Sequence, residues 1–431
     1  MLFYPIRALL ISENLIDLQI PRAWDDSQLF YSSLVAFLFW LISYAGYISA
    51  RVASLTSGKE PIGREIERSQ WVLAVLVFLS WVFIMNNLVT NGEFTAFVGN
   101  EQNEARTGSG PMFLFSELYM YAFVSYLGVS LSQNQWKKRL KGTHYILIAM
   151  VFITSTLLMV GLASRRILAQ LLLAMVVVYL VKKGRGGWLA ILAVLSTILL
   201  APFFQIFRYI NFDAILKGDI NFWNIFDIVA PRFFLTNVSS SFEGIDHLGA
   251  FLEKANWIDI VVGVDAGSAW IFNAFLSLVP RALWINKPEI YGSVAEQFFL
   301  YPWMYVDGAA TTTFPVSYIT DFIFGFGILF GLAMAFFLGR LLKVLHMYFW
   351  QRQSHPVLFG MSLFIFLNVF NVLRAGTGML QVTLMFLITA CFVFGFANVK
   401  SAVTSLVKDV FGFQSLKNTV YKPLADSGGV R

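Results

Sequence analysis

Several arginines of this chain stand at the ends of apolar segments, where they could bind an anionic ligand: Arg165 and Arg166 in "ASRR", Arg208 in "IFRYI", Arg281 in "VPRAL" and Arg374 in "LRAGTG". A guanidinium group binds phosphate through two parallel hydrogen bonds. Gathered at the depth of lipid headgroups, these side chains would form a site for a phosphorylated lipid. Alternatively, each arginine extends singly to the phosphates of ordinary lipids. Arg165 and Arg166 are adjacent, so a helix cannot direct both into one pocket.

The stretch "VPRALWINKPEIYG" (279–292) places two further polar groups beside aromatic rings. A helix cannot continue through both Pro280 and Pro288, so Arg281 and Lys287 are predicted to lie in a fixed turn. Trp284 and Tyr291 could stack on sugar rings or anchor the chain at a membrane interface. Arg232, earlier in the same polar region, is a further candidate for phosphate binding.

Four residues are candidates for a general base. Glu117 and Asp321 lie within apolar segments, where a carboxylate is costly unless it is paired. Each could accept a proton from a substrate hydroxyl, or form an ion pair with an arginine that only fixes helix packing. Asp246 and His247 in "EGIDHLGAF" are the other two candidates. No motif typical of metal or nucleotide binding accompanies them, so neither a metal site nor a cofactor is predicted.

The elements that must position these residues are membrane spans. The chain has 431 residues, of which 58% are hydrophobic and 13% charged, whereas soluble domains carry about 25% charged residues. Backbone groups in lipid must be hydrogen-bonded within the segment, so an all-α polytopic membrane protein is predicted. The nine expected spans are Leu29–Ala50, Trp71–Val89, Pro111–Leu131, Tyr145–Leu162, Ile167–Val181, Trp188–Phe207, Ile319–Leu342, Val357–Leu373 and Met379–Val399.

Lysine and arginine in the connections predict the orientation. The odd-numbered connections and the C-terminal tail are the more basic ones, which assigns them to the cytoplasm. Of the cations left on the outer side, nine are arginine and three are lysine. The predicted organisation is an outer N-terminal segment (1–28), six spans (29–207), a large outer loop (208–318), three spans (319–399) and a cytoplasmic tail (400–431). The apolar run Gly267–Pro280 is expected to be a re-entrant or interfacial helix of that loop, unless a second hidden crossing restores the parity.

Several of these motifs resemble one family. "NAFLSLVPRALWINKPEIYG" is similar to the outer-loop cassette of Wzy-type oligosaccharide repeat-unit polymerases, the O-antigen polymerase family. "FPVSYITDFIFGFGILFGLAMAFFLGRLL" resembles the span that follows it, with Asp321 where the family pattern suggests Glu. "ASRRILAQLLLAMVVVYL" and "NVLRAGTGML" resemble two further arginine turns, with Arg166 in place of a small residue. The resemblance covers about residues 145–400.

The resemblance implies a GT-C-like glycosyltransferase of the bacterial inner membrane with its active site facing the periplasm. It implies donor and acceptor glycans linked to polyprenyl pyrophosphate, for a surface polysaccharide such as lipopolysaccharide or exopolysaccharide. A flippase and a chain-length regulator of the same pathway are the implied protein partners, and nucleic acid is not expected. A ligase that moves finished glycan to another acceptor would use the same donor chemistry. A transporter of lipid-linked oligosaccharide is the third hypothesis.

Overall fold

A computed structural model of the protein describes most of the predicted spans. The described residues are 26–50, 64–91, 110–132, 142–162, 244–265, 267–268, 298–302, 305–306, 309–310, 317–351, 356–374 and 376–412, with isolated positions between 170 and 192.

Helices make up nearly all of the regular structure within these ranges, which confirms the all-α prediction. In chain order they are α1 (Asp26–Ser49), α2 (Arg64–Asn91), α3 (Gly110–Ser132), α4 (Gly142–Leu162), α5 (Gly244–Lys254), α6 (Trp257–Val262), α7 (Tyr318–Gln351), α8 (Pro356–Arg374), α9 (Gly376–Phe394) and α10 (Phe396–Phe411). A two-residue antiparallel pair, β1 (Tyr305–Val306) with β2 (Ala309–Ala310), precedes α7.

Seven of the nine expected spans coincide with helices, namely α1 to α4 and α7 to α9. The fifth and sixth expected spans, 167–181 and 188–207, lie outside the described residues except for a few helical positions. The re-entrant helix expected at Gly267–Pro280 also lies almost wholly outside them. The region predicted to be a large outer loop contains two helices that were not predicted, α5 and α6.

Two of the described helices are long and apolar enough to cross a membrane, over Phe30–Ser49 and Tyr318–Trp350. Shorter apolar stretches occur in α3, α4, α8 and α9. Large apolar side chains on α1 face outward, among them Phe37, Trp40 and Ile48. An exposed apolar row of this kind is the surface that a helix presents to lipid or to a partner. These features agree with membrane association, while the number of crossings stays a prediction.

The helices pack into two hydrophobic clusters that share α7. One cluster combines α1, α5 and the N-terminal part of α7, and the segment Phe299–Tyr301 packs there too. The other combines α2, α3, α4, α8, α9 and α10 with the C-terminal part of α7. The length of α7 allows this, because its 34 residues span about 50 Å at a rise of about 1.5 Å per residue.

Glycines set the distance between α1 and α7. A Cβ atom added at Gly46 would lie 2.0 Å from the Phe336 carbonyl oxygen, and one at Gly339 would lie 1.8 Å from the Ser43 carbonyl oxygen. Only glycine therefore allows the two backbones to approach so closely. Small residues at a helix crossing are typical of packing in membranes, where close van der Waals contact replaces the hydrophobic effect between helices.

The last expected span, Met379–Val399, is divided between two helices. Helix α9 ends at Gly395, which has a φ of 85° and donates its N–H to the Cys391 carbonyl at 2.9 Å. Left-handed backbone at glycine is a common way to end a helix. Helix α10 then continues to Phe411, inside the segment that was expected to be a cytoplasmic tail.

Candidate functional site

The structure describes some of the predicted site residues with their side chains, some by their backbone only, and others not at all. The side chains of Asp321 and His247 are described, and both are buried. Only the helical backbone is described at Glu117 in α3, Asp246 in α5 and Arg374 at the end of α8. The remaining predicted site residues lie outside the described ranges: Arg165, Arg166, Arg208, Arg232, Arg281, Trp284, Lys287 and Tyr291.

Asp321 lies in the first turn of α7 and is only 1% exposed. Ser317 starts this turn as an N-cap. Its carbonyl accepts the Asp321 N–H at 2.9 Å, and its hydroxyl accepts the Thr320 N–H at 3.3 Å. The Ser317 and Thr320 hydroxyls lie 3.0 Å apart. Because the N-terminal end of a helix carries partial positive charge, this position favours a negatively charged side chain.

Helix α7 is interrupted two turns after Asp321. Gly327 has a φ of 72° and a ψ of 171°, so the regular helix stops there and restarts. Asp321 therefore sits on a short helical piece, Tyr318–Phe326, rather than on the continuous span that was predicted. An interrupted helix at membrane depth is tolerated where packing against protein satisfies the freed backbone groups, and in transporters such breaks mark binding sites.

The backbone of α6 and the residues after it fill this interruption. Val264 donates its N–H to the Phe324 carbonyl at 2.7 Å. A Cβ added at Gly327 would lie 2.0 Å from the Val261 carbonyl oxygen, and one at Gly263 would lie 2.8 Å from the Gly325 carbonyl oxygen. Gly263 and Gly327, the second glycine of "FGFG", thus permit direct contact between two backbones, which gives a physical reason for a glycine at position 327.

A reciprocal cap fixes the start of α6. The Asn256 side chain accepts the Asp259 N–H at 2.9 Å, and the Asp259 carboxylate accepts the Asn256 N–H at 3.1 Å. This capping box satisfies two N–H groups that the helix itself cannot. It therefore defines where α6 begins, with the N-cap five residues before Val261.

His247 is fully buried in α5, which packs against α1 and α7. Its Nδ1 lies 2.8 Å from the Tyr301 hydroxyl, and the two rings meet edge to face at 5.6 Å. Lys254, at the end of the same helix, donates to the Phe299 carbonyl. These contacts attach the segment before β1 to α5. His247 and Asp321 border the same hydrophobic cluster, with Leu248 beside one and Phe322 beside the other.

A buried amide pair links two segments that end near predicted phosphate-binding arginines. Gln170 donates from Nε2 to Oδ1 of Asn368 at 2.7 Å, and both side chains are buried. Asn368 also donates from Nδ2 to the Phe364 carbonyl at 2.9 Å. Gln170 follows Arg166 by four positions, and Asn368 precedes Arg374 by six. The pair was not predicted, although Gln170 is the one amide of its apolar segment and α8 carries only two, Asn368 and Asn371.

Further buried hydrogen bonds connect α2, α3 and α4. Trp81 donates from Nε1 to the Thr154 hydroxyl at 2.9 Å. The Tyr119 hydroxyl lies 2.9 Å from the Ser155 hydroxyl. Tyr119 stands two positions after Glu117, so these bonds fix the part of α3 that carries this candidate acid.

Among the residues that the structure describes, no three His, Cys, Asp or Glu side chains lie close enough together to hold a metal ion. Comparison of the chain with known protein families, with curated proteins and with solved structures found no match. The assignment of a function therefore rests on the residues and on their geometry.

Proposed function

We propose that this chain is a membrane glycosyltransferase that polymerises oligosaccharide repeat units linked to polyprenyl pyrophosphate. In this proposal it is a GT-C-like protein of the bacterial inner membrane with nine spans, and its active site faces the periplasm. The observation that carries the proposal is the Gln170–Asn368 hydrogen bond. It supports a convergence of the arginine turns before Gln170 and after Asn368.

The number of residues between each amide and its arginine indicates how far along the helices the two arginines lie. Arg374 is six residues beyond Asn368 within α8, which is about 9 Å along a helix axis. Arg166 is four residues before Gln170, which is about 6 Å if that segment is helical. Two segments joined at the amide pair would therefore carry their arginines to similar depth. Arg208, Arg232, Arg281 and Lys287 complete the proposed pyrophosphate site.

These cations would stabilise the leaving group. In the proposed transfer, the bond between the anomeric carbon of the donor glycan and the pyrophosphate oxygen breaks, and its electron pair stays on that oxygen. An acceptor hydroxyl oxygen forms the new bond to the anomeric carbon. Guanidinium groups arranged around the departing pyrophosphate would lower the barrier electrostatically, because the charge develops there. Trp284 and Tyr291 are the proposed stacking partners of the sugars.

The proton of the acceptor hydroxyl requires a base, and we assign this role to Asp321. It is buried at the start of a short helical piece beside an interruption of α7. His247 lies in the neighbouring part of the same cluster, where its contact with Tyr301 supports a positioning role. Glu117 and Asp246 remain the alternative bases.

Incubation of the purified protein with synthetic lipid-linked repeat units tests the proposal. A ladder of products supports a polymerase. Transfer to a different acceptor supports the ligase, which would use the same donor site. Movement of the intact lipid between leaflets without any new glycosidic bond supports the transporter and contradicts the proposal.

A further inference from the structure

We propose that α10 is an in-plane membrane-surface helix that binds anionic phospholipid headgroups. The inference rests on the proposed membrane topology, which assigns α10 to the cytoplasmic side. It is independent of the glycosyl transfer itself. The inference is argued from three faces of the helix, which differ in burial and polarity.

The first face of α10 attaches it to the helix bundle. Val399, Ala402, Leu406 and Val410 are buried against the cluster that contains α7, α8 and α9. The buried Asp409 carboxylate accepts the Tyr348 hydroxyl at 2.5 Å. The helix is therefore held at a defined position relative to α7.

A guanidinium group closes the C-terminal end of α10. Arg340 donates from Nε to the Val410 carbonyl at 2.5 Å. Gly412, with a φ of 74°, donates its N–H to the Lys408 carbonyl and leaves room for Arg340. A cation is favourable at this end because the last carbonyls of a helix carry partial negative charge. Two side chains of α7, Arg340 and Tyr348, thus fix the C-terminal end of α10.

The second face is apolar and open. Phe396 is 71% exposed, Phe411 48% and Val407 42%. Successive residues of a helix advance by about 100°, so these three side chains fall within about 60° of one another. This edge adjoins the buried face, and Phe392 at the end of α9 is also exposed. Exposed apolar side chains therefore continue along the chain from α9 onto α10, on both sides of Gly395.

The third face is polar and lies opposite the apolar edge. Asn398, Ser401 and Lys408 are exposed there, and Ser405 is partly exposed. A helix with one apolar edge and one polar face, attached to the end of an apolar helix, matches the pattern of helices that lie in the membrane interface. A soluble protein partner would leave the continuity between the α9 and α10 apolar surfaces unexplained.

The exposed charge of α10 is positive. Lys400 and Lys408 are exposed, whereas Asp409, its one acidic residue, is buried and bonded to Tyr348. Lys400 projects from the apolar edge itself, where a lysine stem can lie along lipid chains while the ammonium group reaches a phosphate. A basic residue near an anionic membrane surface contributes attraction worth about 1 kcal/mol. The chemistry therefore points to anionic lipid.

Two measurements on the full-length protein test the inference. The first uses spin labels at Phe396→Cys, Val407→Cys, Ser401→Cys and Ser405→Cys, each with Cys391→Ser, in nanodiscs of phosphatidylcholine and phosphatidylglycerol. Labels at 396 and 407 are expected to collide with oxygen dissolved in lipid, and those at 401 and 405 with a water-soluble relaxation agent. Water access at all four positions would overturn the inference.

The second measurement compares the retention of phosphatidylglycerol and phosphatidylcholine by native mass spectrometry. Lys400→Ala and Lys408→Ala are each expected to lower the selectivity for phosphatidylglycerol about fivefold. The matched Lys400→Arg and Lys408→Arg variants keep the charge and should retain it. Equal selectivity in the alanine variants would overturn the lipid assignment.

A membrane-impermeant thiol reagent applied from each side separates this inference from the proposed topology. Modification of the Ser405→Cys variant from the periplasmic side would contradict the topology. The difference in oxygen and water access between the spin-labelled positions would still decide whether α10 lies in the interface. Loss of glycosyl transfer would affect neither the spin-label accessibilities nor the thiol modification.

Discussion

Gln170 and Asn368 form a buried hydrogen bond of 2.7 Å between Nε2 and Oδ1, although they stand 198 positions apart in the chain. Each lies inside a largely apolar segment, where an amide without a partner would be costly. The bond therefore fixes the relative position of α8 and the segment that follows the "ASRR" turn. Our proposal for the active site depends on this relationship.

Replacement of either amide should weaken the protein and its activity together. Hydrogen bonds between helices in membranes contribute about 0.6–2 kcal/mol. We expect Gln170→Leu and Asn368→Leu each to lower the unfolding midpoint in detergent and to reduce ladder formation. The double variant should lose less than the sum of the two changes, because the pair acts as a unit. Strict additivity in this double-mutant cycle would contradict the contact.

Asn398 offers a matched control for the amide pair. Its Nδ2 donates to the carbonyl of Phe394, only four positions earlier. Asn398→Leu removes this local bond and leaves the Gln170–Asn368 bond in place. We expect it to leave ladder formation unchanged.

Gly327→Ala should destabilise the protein strongly. The new Cβ would lie 2.0 Å from the Val261 carbonyl oxygen, at a backbone φ of 72° that other residues rarely adopt. A backbone with this φ and ψ is essentially restricted to glycine and costs another residue about 1–3 kcal/mol, and the contact with α6 must also open. Thermal unfolding monitored by fluorescence-detected size exclusion should show a lower midpoint or loss of the folded peak.

Gly360→Ala is the control for this substitution. Its Cβ would meet nothing closer than the Phe394 ring at 4.0 Å. Because alanine favours helix by up to about 1 kcal/mol over glycine, this variant should be unchanged or slightly more stable. Equal behaviour of the two alanine variants would show that the interruption of α7 is not needed.

Gly339→Ala should separate α1 from α7. The added methyl group would overlap the Ser43 carbonyl oxygen at 1.8 Å, and a backbone cannot yield as a flexible side chain can. We expect cross-linking between cysteines introduced on the facing sides of α1 and α7 to fall. Cross-linking at the level of the parent protein would contradict the close packing.

Asp321→Asn should abolish ladder formation if Asp321 is the base. A positioned general base contributes about 10²–10⁴-fold to a rate, and an amide of the same shape cannot accept the proton. Asp321→Glu should retain partial activity. Asp259→Asn, at a partly exposed position on α6, keeps an acceptor oxygen for the capping box and should be fully active. A wild-type rate for Asp321→Asn would transfer the role to Glu117, Asp246 or His247.

Tyr301→Phe tests whether His247 has a structural role or acts as the general base. Loss of one buried hydrogen bond should lower the free energy of unfolding by about 1 kcal/mol. We expect a nearly unchanged rate of glycosyl transfer in this variant, because the bond serves packing between α5 and the segment before β1. A large loss of transfer with unchanged stability would make His247 the base.

The helices of this protein could be predicted because apolar length is a local property of the sequence. Seven expected segments coincide with α1 to α4 and α7 to α9. The interruption of α7 could not be predicted, since "FGFG" is compatible with a continuous helix until Val261 and Val264 approach it. The boundary at Gly395 was missed because Phe396–Val399 extends the apolar run of α9.

The candidate site was predictable to a smaller degree. The acidic residue at position 321 and the histidine at position 247 were identified from their types and surroundings, and both are buried in one hydrophobic cluster. Partners from distant parts of the chain were not identifiable. Nothing near Gln170 in the sequence indicates Asn368, and nothing near His247 indicates Tyr301. Such pairs depend on tertiary packing, which local sequence patterns do not reveal.

Glycosyl transfer itself is the most direct test of the account. The purified protein, its Arg374→Ala and Arg281→Ala variants, and an Arg352→Ala control from the opposite proposed face would each be incubated with lipid-linked repeat units. Product length would be measured on a gel. We predict a ladder for the parent and the control, and none for the two site variants although they remain folded and inserted. Polymer of normal length from both site variants, or no transfer by the parent to any acceptor, would contradict the proposed pyrophosphate site.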